Sequence, residues 1–244
     1  MAKGIKGRQT GIESLKLKVN DNQAHYLKAG SGPPVVLIHG GASDSRDWVS
    51  TMATLCHRYS LYAPDLIGFG LSDRTKDGYY LSDFSEFVLG FMETLGLEHP
   101  VLVGHSFGAR LCLEIALRHP EKVRKLVLID ASGLGKVSRL GNVILTAFWA
   151  IRKLLRRRQP FPKFLAREGE DPTWLCVDEL PNLGTPTLIV WKRHDLYFPL
   201  AIARRAKALI PEADLAVLPG YGHAPHGQNQ DAFNSLLLDY LDHD

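Results

Sequence analysis

Val101-Leu102-Val103-Gly104-His105-Ser106-Phe107-Gly108-Ala109-Arg110 is the stretch on which the fold turns. An apolar, β-branched run ends in Gly-X-Ser-X-Gly, and a helix-forming run continues from Ala109 through Arg118. The order is strand, sharp turn, helix, the setting in which this motif holds a serine clear of a sheet. Three fixed positions match by chance in about one chain of this length in ten, so the setting carries more weight than the letters. Gly104 and Gly108 relieve the crowding around a turn residue held in a sparsely populated conformation. Ser106 is the candidate nucleophile, and it needs a neighbouring base, because a neutral alcohol attacks only as its proton is taken. The backbone N–H of Phe107 lies in the first turn of the following helix, without an intrahelical acceptor, where negative charge would develop.

Working outward, 244 residues with 45% hydrophobic content suffice for one domain with a substantial core and an inserted subdomain. There is no apolar run of about 18 residues, and the basic start from Met1 to Arg8 lacks the apolar centre of a secretory signal. A soluble, cytoplasmic protein is expected. Cys56, Cys112 and Cys176 are scattered without C-x-x-C spacing, so neither a disulfide framework nor a zinc site is suggested; they read as buried small residues. The net charge is +3, but Arg152, Lys153, Arg156, Arg157, Arg158, Lys163 and Arg167 follow one another with no acid among them. Any basic surface is local.

Ser14 to Val19 alternates polar and apolar, Asp21-Asn22 marks a turn, and Gln23 to Ala29 completes an antiparallel hairpin. Val35 to Ile38 is a continuous apolar run suited to a strand buried on both faces. It ends in His39-Gly40-Gly41-Ala42-Ser43, where small residues let a backbone N–H approach a reacting oxygen, and a helix is expected from about Arg46 to His57. Gly41 is the candidate second oxyanion donor, with Ala42 the alternative one residue on. Leu61 to Ala63 is the next strand, and Asp65, Gly68 and Gly70 read as bracing a sharp loop beside the site. Leu81 to Leu95 carries Phe84, Phe87, Val88, Phe91 and Leu95 on one helical stripe, stopped by Gly96.

Beyond the elbow come a helix from Ala109 to His119 and strands from Val123 to Ile129, Thr187 to Trp191 and Leu215 to Leu218. Helices from Leu200 to Ile210 and from about Gln230 to Leu241 complete the alternation. Such alternation means a parallel sheet with helices on both faces, and right-handed crossovers gather the strand C-terminal ends along one edge. The alternation stops only from Lys136 to Asn182. Residues 136–182 are expected to be an inserted short cap on a core domain of residues 1–135 and 183–244.

A serine nucleophile needs an imidazole base, and that imidazole needs an acid to fix its tautomer. His223 follows the last strand through Pro219-Gly220-Tyr221-Gly222, with His226 close behind as the alternative base. A His-x-x-His metal pair has no third ligand nearby in the sequence, so no metal site is expected. The remaining candidates, His25, His57, His99, His119 and His243, read as surface residues. Asp195 follows the strand ending at Trp191 and is the candidate acid; Asp130, at the end of the preceding strand, is its rival.

The chain order Ser, Asp, His at these strand ends resembles the α/β-hydrolase family over about Lys16 to Leu241. The likeness rests on His39-Gly40-Gly41, on Asp65 with Gly68 and Gly70, on Gly104 to Gly108, on Asp195 and on Gly222-His223. It implies an α/β fold with a mostly parallel eight-stranded sheet, helices on both faces and a short helical cap. Members with an aspartate nucleophile include dehalogenases and epoxide hydrolases; Ser106 points instead to esterases, lactonases, carbon–carbon bond hydrolases and similar acyl-transfer enzymes. Where the family often has Trp-Gly before the acid loop, this chain has Trp191-Lys192, and its cap is short. The resemblance implies two-step acyl transfer on a small-molecule acyl substrate, with no metal or organic cofactor. The competing expectation is a ligand-binding or receptor-like protein that keeps the triad and turns over slowly.

Within the cap, Asn142 to Arg158 sets Val143, Ile144, Leu145, Phe148, Trp149, Ile151, Leu154 and Leu155 beside the basic cluster. The readings are a helix whose apolar face closes the pocket, a helix touching an anionic membrane or lipid surface, and steering of an anionic substrate. Nucleic-acid binding is not expected, since one short basic segment forms no recognisable module.

Overall fold

Alternation along the strands writes the layers directly into the sequence. Val35 and Leu37 turn to one face of the sheet and Val36 and Ile38 to the other; the same split separates Val101 and Val103 from Leu102, and Leu188 and Val190 from Ile189 and Trp191. Both sets are buried, so these strands are sandwiched between helices and read as continuous apolar runs. The computed structural model describes residues 11–155, 161–168 and 174–243.

In chain order the elements are β1 (Glu13–Val19), β2 (Asn22–Ala29), β3 (Pro34–Ile38), α1 (Val49–Leu55), β4 (Ser60–Pro64), β5 (Gly78–Tyr80), α2 (Leu81–Thr94) and β6 (Val101–His105). Then follow α3 (Phe107–Arg118), β7 (Lys125–Ile129), α4 (Arg139–Leu154), β8 (Lys163–Leu165), β9 (Thr187–His194), α5 (Leu200–Leu209), β10 (Ala213–Tyr221), α6 (Pro225–Gln228) and α7 (Gln230–Asp242). The main sheet has eight strands in the order β1-β2-β4-β3-β6-β7-β9-β10. The β1/β2 and β2/β4 pairs are antiparallel and every other pair is parallel. The order reverses between β3 and β6, which puts the chain's switch point beside the elbow. One face is covered by a core containing Phe84 and Phe91 of α2, Leu111 of α3 and Ala203 of α5. The other is covered by Trp48, Met52 of α1, and Phe233 and Leu237 of α7. Each such fully buried large side chain contributes about 1.5–3 kcal/mol.

Several boundaries depart from the sequence reading. The helix expected from Arg46 begins as a 3-10 turn, Ser45–Trp48, because the Asp44 side chain accepts the Arg46 N–H at 3.0 Å and its carbonyl takes the Asp47 N–H at 3.2 Å. β9 and β10 run past their apolar residues, with His194 paired to Tyr221 beyond a register shift after Leu218 and the two rings stacked 4.6 Å apart. β5 and β8, three residues each, are too short to show a period; they form a separate parallel pair, Gly78↔Lys163 to Tyr80↔Leu165, that ties the segment after α4 back to the core. The helix expected from Asn142 to Arg158 begins earlier, at Arg139, and α4 ends at Leu154; Arg156, Arg157 and Arg158 lie outside the described residues. His25 is buried, against the expectation of a surface residue, and Cys56 is only half-buried, unlike Cys112 and Cys176.

Candidate active site

The elbow is built where β6 meets α3. Ser106 has φ 52 and ψ −111, a backbone region closed to most L-residues. It is held there because its N–H donates to the Ile129 carbonyl at 2.8 Å and its carbonyl accepts from the Ser132 N–H at 3.1 Å. The two glycines are required by contact: a Cβ at Gly108 would fall 2.4 Å from the Ile38 carbonyl oxygen, and one at Gly104 would fall 2.5 Å from the Gly108 carbonyl. Helix α3 can therefore close onto the end of β3, leaving the Ser106 side chain partly exposed.

His223 reaches that hydroxyl from the far end of the sheet. Its Nε2 lies 2.9 Å from Ser106 Oγ and its Nδ1 lies 2.8 Å from Asp195 Oδ2. The approach depends on positive φ at Gly220 (95°) and Gly222 (126°), which turn the chain back over the strand ends. Asp195 is buried, and its Oδ1 accepts the N–H groups of Tyr197 (2.7 Å) and Phe198 (3.1 Å). With one oxygen fixed by two backbone donors and the other facing Nδ1, the carboxylate orients the ring so that Nε2 is free to accept a proton.

Asp130, the rival acid, occupies a different position. It is fully buried, with φ 41, and its Oδ1 accepts the Lys192 N–H at 2.8 Å while Oδ2 has no hydrogen-bond partner among the described residues. Burial, reinforced by the Asp195 charge, pushes its carboxyl up to about 8. Between about pH 4 and pH 8 the native chain therefore holds a proton that an unfolded aspartate, near pKa 3.9, has released. The unfolded state binds fewer protons in that window, so stability falls as pH rises through it. Asp130→Asn, which carries no such proton, is expected to gain on the wild type between pH 5 and pH 8 by about 5 °C or more in melting temperature. A difference that stays constant between the two pH values would contradict a buried, protonated Asp130.

His226, the alternative base, is buried and stacked on Trp48 with 4.6 Å between ring centroids. Burial, aided by the His223 charge, drives it down to about 3, so it stays neutral, and no hydrogen bond ties it to Ser106. His105, inside the motif, donates Nε2–H to the His223 carbonyl at 2.5 Å, and its own ring is held well below the ordinary histidine range by burial, with His226 and His223 adding to the effect. It touches His223, the candidate base, through the backbone. The sequence offered no signal for this contact between residues 118 positions apart.

The loops beside the site are wired together by buried polar groups. His39 Nδ1–H donates to the Gly40 carbonyl at 2.8 Å and Nε2 accepts the Leu66 N–H at 3.0 Å, which fixes a neutral tautomer that burial also favours. Asp65 accepts from Ser45 N–H (2.8 Å), Leu71 N–H (2.7 Å) and His25 Nδ1 (2.8 Å), and a Cβ at Gly70 would strike its Oδ2 at 2.1 Å. Asp65 thus braces the loop, as its sequence context suggested.

Gly41 and Phe107 are brought side by side: a Cβ at Gly41 would stand 3.4 Å from Phe107 Cβ and 3.0 Å from the Phe164 ring. Ala42, the alternative, is exposed. Phe164 and Trp174, both from residues 136–182, pack against Phe107 with centroids 4.6 and 5.7 Å away, and Phe84 meets Phe107 edge-on at 4.9 Å. The wall next to the elbow is aromatic.

Residues 33–168 match the family profile described as alpha/beta hydrolase fold. The chain belongs to that family. Relatives of this α/β hydrolase include a 2-hydroxymuconate semialdehyde hydrolase from a Pseudomonas species, 29% identical over 96% of this chain and 93% of that protein. A solved meta-cleavage product hydrolase from Pseudomonas fluorescens superposes with a TM-score of 0.78 at 26% identity, covering 93% of this chain and 97% of that one. A carboxylesterase structure from Bacillus subtilis shares the fold with a TM-score of 0.82 at 22% identity, covering 95% of this chain and 92% of that one.

Two further features of the α/β hydrolase concern metal ligation and the acid loop. Among the described residues, ligand atoms of His105, Asp130 and His223 lie within 4.8 Å of one another, as do those of Asp47, His105 and His226. The sequence reading found no third ligand near His223 and His226; folding brings His105 to each of them instead. Lys192, where the family often has glycine, continues β9 as a buried residue, and its Nζ donates to Asn229 Oδ1. Strand β9 runs on to His194, and Asp195 follows it directly. Among the described residues no helix is long and apolar enough to cross a membrane.

Proposed function

We propose that this α/β hydrolase is a serine hydrolase that cleaves a carboxylic ester or related acyl compound through an acyl-enzyme on Ser106. The observation that carries the reading is the single ring of His223 spanning Ser106 Oγ at 2.9 Å and Asp195 Oδ2 at 2.8 Å. As Ser106 Oγ attacks the substrate carbonyl, His223 Nε2 takes its proton, and Asp195 stabilises the resulting imidazolium. The N–H groups of Gly41 and Phe107 hold the oxyanion; such a donor typically accounts for 10²–10³ in rate. His223 returns the proton to the leaving oxygen, then draws one from water as water attacks the acyl-enzyme, releasing acid and free Ser106. Residues 136–182 serve as the cap, with Phe164 and Trp174 favouring an apolar acyl group.

The relatives favour a second reading. A 2-hydroxymuconate semialdehyde has no ester bond, so the hydrolase of that name breaks a carbon–carbon bond, and the same residues here would do so if the proton from His223 were delivered to carbon. Turnover of p-nitrophenyl esters of increasing chain length, set beside turnover of 2-hydroxymuconate semialdehyde, separates the two. Ester hydrolysis with a chain-length optimum is expected; hydrolysis of the semialdehyde alone would replace the ester reading with the carbon–carbon one.

A further inference from the structure

Helix α4 presents a stripe of apolar side chains to solvent. Leu140, Val143, Ala147, Ile151 and Leu154 recur at the i, i+3, i+4 spacing of one helical face. All five are exposed, Leu140 by 54%, Val143 by 64%, Ile151 by 56% and Leu154 by 82%. A helix that closes a pocket buries such a stripe. This one leaves it facing outward.

The chemistry around the stripe says what covers it. From Lys136 to Arg158 the chain holds seven cations and no carboxylate. Lys136 and Arg139 are exposed, and the 3.6-residue repeat sets position 139 on one border of the stripe. An exposed apolar face on a helix whose sequence carries cations and no acid, and which among the described residues is too short and too polar to span a bilayer, is the pattern of a helix lying in the headgroup region of an anionic membrane. A second copy of the chain is the poorer occupant, because a two-fold contact through this face would set the same cation cluster against itself.

The position of α4 ties it to the site. The Ser138 N–H donates to the Tyr197 carbonyl at 2.7 Å and the Ser138 hydroxyl to the Leu196 carbonyl at 2.6 Å, while Ser138 Oγ accepts the Gly141 N–H at 2.9 Å and so caps the helix start. Leu196 and Tyr197 directly follow Asp195. The helix therefore starts from the loop that carries the acid.

We propose that α4 docks this protein on an anionic lipid surface, its apolar stripe in the headgroup layer and its cations on lipid phosphates. The docking stands apart from the chemistry at Ser106. The test is co-sedimentation of the full chain with vesicles of phosphatidylcholine alone and of phosphatidylcholine with 30% phosphatidylglycerol. Binding to the anionic vesicles at least tenfold tighter than to the neutral ones is expected, with a loss of tenfold or more on raising the salt to 0.5 M, since each cation near such a surface adds roughly fivefold. Val143→Ser/Ile151→Ser/Leu154→Ser and Arg139→Gln/Arg152→Gln/Lys153→Gln should each lower anionic-vesicle binding at least tenfold. Both variants should retain wild-type circular dichroism and melting behaviour, which separates lost docking from lost folding. Equal binding to both vesicle types, no binding by the wild type, or a concentration-dependent dimer abolished by the serine variant with no vesicle binding would overturn the proposal. An inactive enzyme that still binds anionic vesicles would remove the hydrolase reading and leave the docking standing.

Discussion

Ser106→Ala and His223→Ala are each expected to lower ester turnover by about four to six orders of magnitude, and the double variant to be no slower than the worse single one. The non-additivity follows from the geometry: Ser106 Oγ and His223 Nε2, 2.9 Å apart, act in one proton transfer, so removing either leaves the other with nothing to do. Both replacements remove atoms from partly exposed side chains, and the elbow's backbone is held by the Ile129 and Ser132 contacts, which neither changes. Melting temperatures should stay close to the wild type. Initial rates on a p-nitrophenyl ester, together with melting curves, check both halves; rates that multiply independently would show that the two residues do not share a step.

The second large effect is expected at Asp195 and not at Asp130. Asp195→Asn keeps the shape and can still accept the Tyr197 and Phe198 N–H groups through its oxygen. Its amide then donates towards His223 Nδ1, favouring the tautomer with the proton on Nε2, which cannot take the serine proton. A fall of about 10⁴ in kcat is expected. Asp130→Asn replaces a carboxyl that is already protonated near neutrality, one oxygen of which accepts a backbone N–H that an amide oxygen accepts equally well. Its turnover at pH 7 should lie within tenfold of the wild type. The opposite ranking would make Asp130 the acid.

The comparison of these two aspartates also marks how far the sequence could be read. Strand runs such as Val35 to Ile38 and the Gly-X-Ser-X-Gly turn are local, and continuous apolar runs alternating with helices, together with glycine spacing, placed the sheet, the elbow and the candidate Ser106, Asp195 and His223 at one edge. Choosing between Asp195 and Asp130 needed the path of the chain after Trp191, which depends on Lys192 pairing as a strand residue and on backbone donors at 197 and 198. His105 was invisible as a support for the base because its partner carbonyl is distant in sequence. His25 looked like a surface residue for a related reason: its partner Asp65 is 40 positions away. The β5–β8 pair was missed because three-residue strands carry no period; their pairing is decided by where residues 136–182 settle, and that same settling brings Phe164 and Trp174 beside the elbow.

The central claim is that a covalent acyl group passes through Ser106. Rapid acid quenching of the wild type with a p-nitrophenyl ester, followed by intact-protein and peptide mass measurement, tests it most directly. The account predicts a burst of p-nitrophenol of about one equivalent wherever deacylation is the slower step, with the acyl mass added on the peptide bearing Ser106, and neither burst nor adduct in Ser106→Ala. Undiminished turnover in Ser106→Ala, or an acyl adduct on a different residue that forms and decays at the rate of turnover, would contradict it.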